Sequence, residues 1–495
     1  MKKIKYFLMS VFLVSLASCN DATDIVQDGE LGNDVTFQTV SDLEQYLLGA
    51  VYTNVSTSAE IGFTAEFTDE CSIGVSNGGQ AIDLHRFNLN ASTGYPSTIW
   101  LQQYLLINRA NRLLEAAEKV TPVVDIEENI DETQEYNNIL AQARTLRAYA
   151  YMQLVSYFST NPADDSALGV MLLDFVPKVD QKFPRVSNGE IYALIESDLA
   201  YASANILSET PAAGYKYVSK SMINAMYARM YLYRKNYPLA KQYAQAVINT
   251  SGLTLSAPTV YRQMWADLAG GEIIFAASRP NNGTWGNIAG TFYFNTTDAT
   301  GGAFLEMGRN LYNLYPANDV RNVAFVDATR VLNPNYLTDP TYLTTDILPI
   351  DKYPGKGNTP LRNDLKIFRL SEMYFILAEC AANEGDLNGV AGYIKNVRDA
   401  RFSSAQPLPS YANVTAAWAD IMLERRKELA FEGFRYLDIK RLGVLANQSI
   451  DRNITDDVIL SLPTTIPNTD HRFTLPIPQD EIAASGSIME QNPNY

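Results

Sequence analysis

The sequence predicts a mostly α-helical protein, built from consecutive helix pairs and interrupted by a large loop-rich region. Three observations carry this reading. Long segments repeat apolar residues with the 3.6-residue period of amphipathic helices. Two helix pairs superpose on one spacing of small residues. Between about 251 and 366 the period vanishes while Gly, Asn, Thr, Tyr and Pro accumulate. With 495 residues, 46% of them hydrophobic, the chain has ample apolar material for a core.

The N-terminus reads as an export signal. "MKKIK" is a positive start, "YFLMSVFLVSLA" an apolar run too short to span a bilayer, and "LASC" a cleavage region of the lipobox type. Residues 1–18 are therefore expected to be a lipoprotein signal peptide and Cys19 the lipidated first residue, anchoring the chain to a membrane without a transmembrane helix. An ordinary secretory site with an incidental cysteine would share most of these features. Residues 19–36 are polar, acidic and glycine-containing, as a flexible tether would be, and leave 37–495 as one folded domain.

The helical segments follow at 97–118, 136–158, 188–206, 219–235 and 237–250, and resume at 367–385, 387–402 and 416–433. Ala228, Ala240, Ala244 and Val247 recur in spacing as Ala378, Val390, Ile394 and Val397, each set crossing a short turn. That is the spacing of tetratricopeptide repeats, in which close helix approach needs short side chains. It places repeat-like pairs at about 97–250 and 367–433, although a plain helical bundle would show the same period. The insertion at 251–366 and a shorter irregular stretch at 60–96 are where a binding surface would be built. Of the two remaining cysteines, Cys71 falls in the irregular stretch and Cys380 in a helix; the sequence leaves their pairing open.

Charge excludes some partners. With 39 basic against 55 acidic residues the formal charge is -16, and loss of Lys2, Lys3 and Lys5 with the signal would make it 36 minus 55, or -19. Nucleic acid is not an expected ligand, because it requires cationic patches to displace counterions. His85 and His471 are the only histidines, so no histidine-rich zinc site or H-E-x-x-H is present. "YPGKGNTP" lacks Walker spacing, and no G-x-S-x-G elbow occurs. No catalytic residue, metal ligand or cofactor site is assigned, and whether calcium shapes the structure is open.

The stretch "ERRKELAFEGFRYLDIKRLG", residues 424–443, places Arg425 on the apolar stripe formed by Trp418, Ile421, Met422 and Leu429. A guanidinium there must be paired, and Glu428, Glu432 and Asp438 are the candidates by proximity. A structural ion-pair network is the expectation, since no nucleophile or metal-type ligand accompanies these carboxylates.

That stretch resembles the C-terminal fingerprint of the SusD/RagB family. "IWLQQYLLINRANRLLE", "ARTLRAYAYMQLVSYF", "LIESDLAYA", "ANDVRNVAF", "IFRLSEMYFILAECA" and the terminal "LPIPQDEIAASGSIMEQNPNY" agree with the family in order. The resemblance implies a SusD-like fold and a non-catalytic lipoprotein of the outer membrane. Such a protein captures oligo- or polysaccharide and passes it to a SusC-like TonB-dependent transporter. Asp21 and Asp24, just after the lipidated cysteine, are a thin version of the family's signal for facing the cell exterior.

A sugar presents an apolar C–H face and a rim of hydroxyls, so its site needs exposed aromatics and short polar side chains. Trp285 and Tyr293 in the insertion, and Asp83, Arg86, Tyr95 and Trp100 near the first long helix, are the candidate glycan contacts. A surface-attached glycoside hydrolase, for which two carboxylates suffice, and a repeat adaptor binding only proteins or peptides are the competing readings.

Overall fold

The computed structural model describes residues 37–495 apart from 179, 212–213, 280–291, 293–302, 357–361, 457–462 and 487. The expected signal peptide, Cys19, the tether, Trp285 and Tyr293 lie outside the described residues.

The chain enters through α1 (Val40–Tyr46), begun by a capping box in which Thr39 and Asp42 each accept the other's backbone N–H. Next come α2 (Ser58–Phe67), β1 (Cys71–Ile73), and the two longest helices, α3 (Gly94–Ala117) and α4 (Thr133–Phe158). α5 (Asn188–Asn205) lies on α4, and its Ser187/Glu190 capping box fixes where it starts. α6 (Lys220–Tyr233) and α7 (Tyr237–Thr250) form a hairpin capped by Asn236. After the strands β2 (Ile273–Ala277), β3 (Leu305–Met307) and β4 (Leu365–Arg369), the helices resume as α8 (Leu370–Glu384), α9 (Leu387–Arg401), α10 (Val414–Glu428) and α11 (Arg435–Ala446). Gly385, at φ 76°, stops α8 in the left-handed conformation that suits glycine, and the next residue, Asp386, caps α9.

Each helix packs on its sequence neighbour: α3 on α4, α6 on α7, α8 on α9 and α10 on α11, with α7 also against α8. The small residues set the spacing of these layers. Ala228, Ala240, Ala244 and Val247, and likewise Ala378, Val390, Ile394 and Val397, are all wholly buried. β1 pairs antiparallel with β3, and β2 with β4 across a bulge, so the described sheet is minor.

Three expectations need correction. The stretch 60–96 is not wholly irregular, because α2 occupies Ser58–Phe67; every residue of α2 is buried, so it has no polar face and no amphipathic period to read. Cys71 sits in β1 rather than a loop, and both it and Cys380 are free and buried. Residues 367–369, expected to open a helix, belong to β4, where they pair with β2.

Candidate functional site

The charged stretch between α10 and α11 proves to be closed. Arg425 Nε and Nη2 donate to Asp438 at 2.9 and 2.8 Å, and its Nη1 lies 3.5 Å from Glu379. Glu428 and Glu432 serve different cations. Glu428 accepts from Arg401 at 2.8 Å, Arg369 at 2.9 Å and Arg321 at 3.3 Å, while Glu432 accepts from Lys352 and Arg369, each at 2.7 Å. Burial opposes ionisation of Glu428, but the three guanidiniums outweigh it and hold the carboxyl well below the usual range. Burial pulls Lys352 down to about 8. Arg435 ties the start of α11 to Asp69 through two bonds of 2.8 Å.

These charges brace one turn. Phe431 and Gly433 both have positive φ, 61° and 85°. The Phe431 N–H donates to Glu70, the Tyr353 hydroxyl donates to the Phe431 carbonyl, and Thr64 and Tyr157 donate to that of Gly433. With Arg425 1%, Glu428 0%, Glu432 7% and Asp438 2% exposed, no ligand reaches them. Each of these four is bonded to an opposite charge, Arg425 to Asp438, and Glu428 and Glu432 to cations from other segments.

The accessible chemistry lies elsewhere, in an open pocket of about 830 Å³. One wall is the segment 79–95, carrying Asp83, Asn88, Asn90, Ser92, Thr93 and Tyr95; Glu66 reaches in from the end of α2, and His471 and Arg472 close it from the C-terminal segment. The frame is firmly held. Arg452 donates to the carbonyls of Phe67 and Thr68, each at 2.8 Å, and to that of His85. Arg472 is chelated by Asp470 with two 2.8 Å bonds and donates to the Phe87 carbonyl at 2.9 Å. Ala81 and Phe87, both in the lining, take left-handed φ of 61° and 63°, a conformation that costs about 1–3 kcal/mol for a residue with a side chain and recurs at ligand sites.

Within the pocket the Tyr95 hydroxyl donates to Glu66 at 2.6 Å. Burial pushes the Glu66 carboxyl up to about 7, against the opposing effect of that bond. Gly62 gives the Tyr95 ring its place: a Cβ there would meet the hydroxyl at 2.6 Å.

The structure brings Asp83 and Tyr95 together in this lining and leaves Arg86 out of it. Asp83 and Arg86 form no ion pair with each other. Trp100 is corrected from candidate contact to core: it is 0% exposed, its ring 4.9 Å from Tyr104 and 5.0 Å from Phe158, so neither face can meet a sugar. Glu66, the Asn88–Thr93 run, His471 and Arg472 were not anticipated. The run of short polar side chains was the available signal; nothing in the sequence links it to His471 at the other end of the chain. Among the described residues no group of His, Cys, Asp and Glu is arranged to hold a metal ion, and no helix is long and apolar enough to cross a membrane.

Comparison with known proteins shows which class shares this helical repeat scaffold. A model described as "SusD family" matches residues 349–495, and one described as "Starch-binding associating with outer membrane" matches 24–232. Over its full length the chain is 26% identical to SusD-like protein P2 of Formosa agariphila, covering all of that protein, and 22% identical to SusD-like protein P25 of the same organism, covering 98% of it. A SusD superfamily protein of Bacteroides vulgatus superposes with a TM-score of 0.74 at 21% identity, with 93% of this chain and all of that one covered. A SusD-like carbohydrate-binding protein of the same species gives 0.71 at 20% identity, with 91% and 97% covered. The chain belongs to the SusD family.

Proposed function

We propose that this protein is a non-catalytic lipoprotein of the outer membrane, anchored through Cys19 and facing the exterior, which captures oligo- or polysaccharide and delivers it to a SusC-like TonB-dependent transporter. The observation that carries the capture step is the composition of the open pocket. One phenol ring, two side-chain amides, two hydroxyls and two carboxyls converge on about 830 Å³, offering a surface for a C–H face and partners for a hydroxyl rim. The family description of residues 24–232 as starch-binding and associating with the outer membrane supports the ligand class and the location. The lipid anchor rests on the "LASC" sequence, and the transporter partner on the family resemblance.

Glycoside hydrolysis is the second reading, favoured by one observation: Glu66, raised to about 7, and the exposed Asp83 place two carboxyl groups in the lining of the same pocket. Against it, Tyr95 holds the Glu66 carboxyl against the wall. Affinity electrophoresis through polysaccharide gels, with released reducing sugar measured in parallel, separates the two. Retardation without release supports capture, and release supports hydrolysis.

A further inference from the structure

We propose that a second, smaller cavity beside the main pocket, built around Lys440, receives the carboxylate or sulfate of an acidic sugar; this rests on the capture reading and names its substrate class. The cavity holds about 260 Å³ and is lined by Lys440, by Thr160, Asn468, Thr469, Asp470, His471 and Thr474, and by the segment 492–494. His471 also lines the main pocket, so one side chain borders both chambers and a glycan chain occupying the first can extend into the second.

Lys440 is the unusual member. Its ammonium donates to the carbonyls of Ser159 at 2.7 Å and Ser156 at 3.0 Å, closing the C-terminus of α4, where the helix dipole favours a cation. Those bonds use two of its three donors. Among the described residues no carboxylate pairs with the half-buried Lys440, whereas most of the buried cations among them have one. Burial without such a partner brings the ammonium down to about 7, so an arriving anion would supply the missing counter-charge. Asp470, the one acidic residue in the lining, is already chelated by Arg472 and lies 3.5 Å from His471. The side chains of Thr160, Thr469 and Asn494 make no hydrogen bond to the described protein and are left to satisfy oxyanion oxygens or neighbouring hydroxyls. In a chain of net charge -16, this is a local site where an anion gains rather than loses.

The test is calorimetric titration of the purified full-length protein with three trisaccharides of equal length, one of uronic acid, one sulfated and one neutral. Salt is set at about 20 and about 200 mM, across which the Debye length falls from ~20 to ~7 Å. The expected result is that an acidic trisaccharide binds about tenfold tighter than the neutral one at low salt and loses that advantage at high salt. Repulsion by the net charge alone would give the opposite salt dependence. Uronate alone binding tightly identifies a carboxylate site; both acidic sugars binding tightly identifies a general oxyanion site. Lys440→Met should abolish the preference, and because Lys440 also closes a helix, Asn494→Asp at an exposed position provides a second variant expected to bring the acidic-to-neutral ratio to about one. Equal binding of acidic and neutral sugars by the parent protein overturns this proposal and leaves capture standing. A preference that survives both variants also overturns it. Failure of all three sugars to bind overturns both.

Discussion

Replacing Arg425 by alanine should destabilise the fold without touching ligand binding, and the structure sets the size of the effect. The substitution removes two charge-assisted bonds to Asp438 and a 3.5 Å contact with Glu379, and leaves both carboxylates buried at 2% and 1% exposure. Breaking a buried pair from one side costs about 3–5 kcal/mol. Arg441 remains 3.2 Å from Asp438 and 3.0 Å from Glu379, so one cation then serves two carboxylates and the cost falls to the lower end, about 3 kcal/mol. The guanidinium also sits 5.6 Å from the rings of Phe375 and Phe434, contacts that alanine forfeits. At roughly 2 cal/mol/K per residue over about 450 residues, the unfolding entropy is on the order of 1 kcal/mol/K, so the expected fall in Tm is ~3 °C. Differential scanning calorimetry reads this directly. The double variant Arg425→Met, Asp438→Asn should lose less than the sum of the single changes, because neither charge is then stranded. An unchanged Tm for Arg425→Ala, or a lost affinity at unchanged Tm, would refute the assignment of this stretch to the scaffold.

Thermal stability should peak near pH 5. Burial raises Glu60 and Glu66 to about 7 and Glu70 and Glu306 to about 8, so the folded state holds their protons more tightly than the unfolded chain; that stability is full below about pH 4.5 and is lost as pH rises to 8. On the acid side, Glu424 is held at about 2 by cations that outweigh its burial, and the stability it contributes is lost as pH falls below about 4. A Tm higher at pH 8 than at pH 5 would contradict this assignment. Gly62→Ala should push the Tyr95 ring off Glu66 and weaken glycan binding several-fold, measured by calorimetric titration, because the new methyl would overlap the hydroxyl; unchanged affinity would remove Tyr95 from the contact surface. Asn88→Ala and Asn90→Ala, at exposed positions in the pocket wall, should each reduce affinity while Tm moves by less than about 1 °C.

What the sequence shows well is whatever repeats locally. The segment 97–118 is α3 at Gly94–Ala117, and the small-residue spacing in α6 to α9 marks layers that are wholly buried, because period and volume are properties of neighbouring residues. α2 escapes that signal since it is buried all round and carries Glu60 and Glu66 inward, and β4 looks helical because its apolar residues run directly into α8. The site was legible only in part. Tyr95 and Asp83 stand in a segment rich in loop formers, but Trp100, chosen for its chemistry, lies on the inward side of α3. His471 and Arg472 reach the pocket only through the tertiary fold. The ion pairs of the charged stretch at 424–443 were legible in part: Arg425 meets Asp438, whereas Glu428 and Glu432 bond to cations brought in from distant segments.

The proposed role requires that the pocket at 79–95 bind glycan and leave it intact. The most direct measurement is migration of the purified protein and of its Tyr95→Ala variant through gels containing individual polysaccharides, with reducing ends assayed on the same samples. At least one polysaccharide should retard the parent protein, the variant should migrate faster through it, and no reducing ends should accumulate. Equal retardation of parent and variant, or steady release of reducing ends, would contradict it.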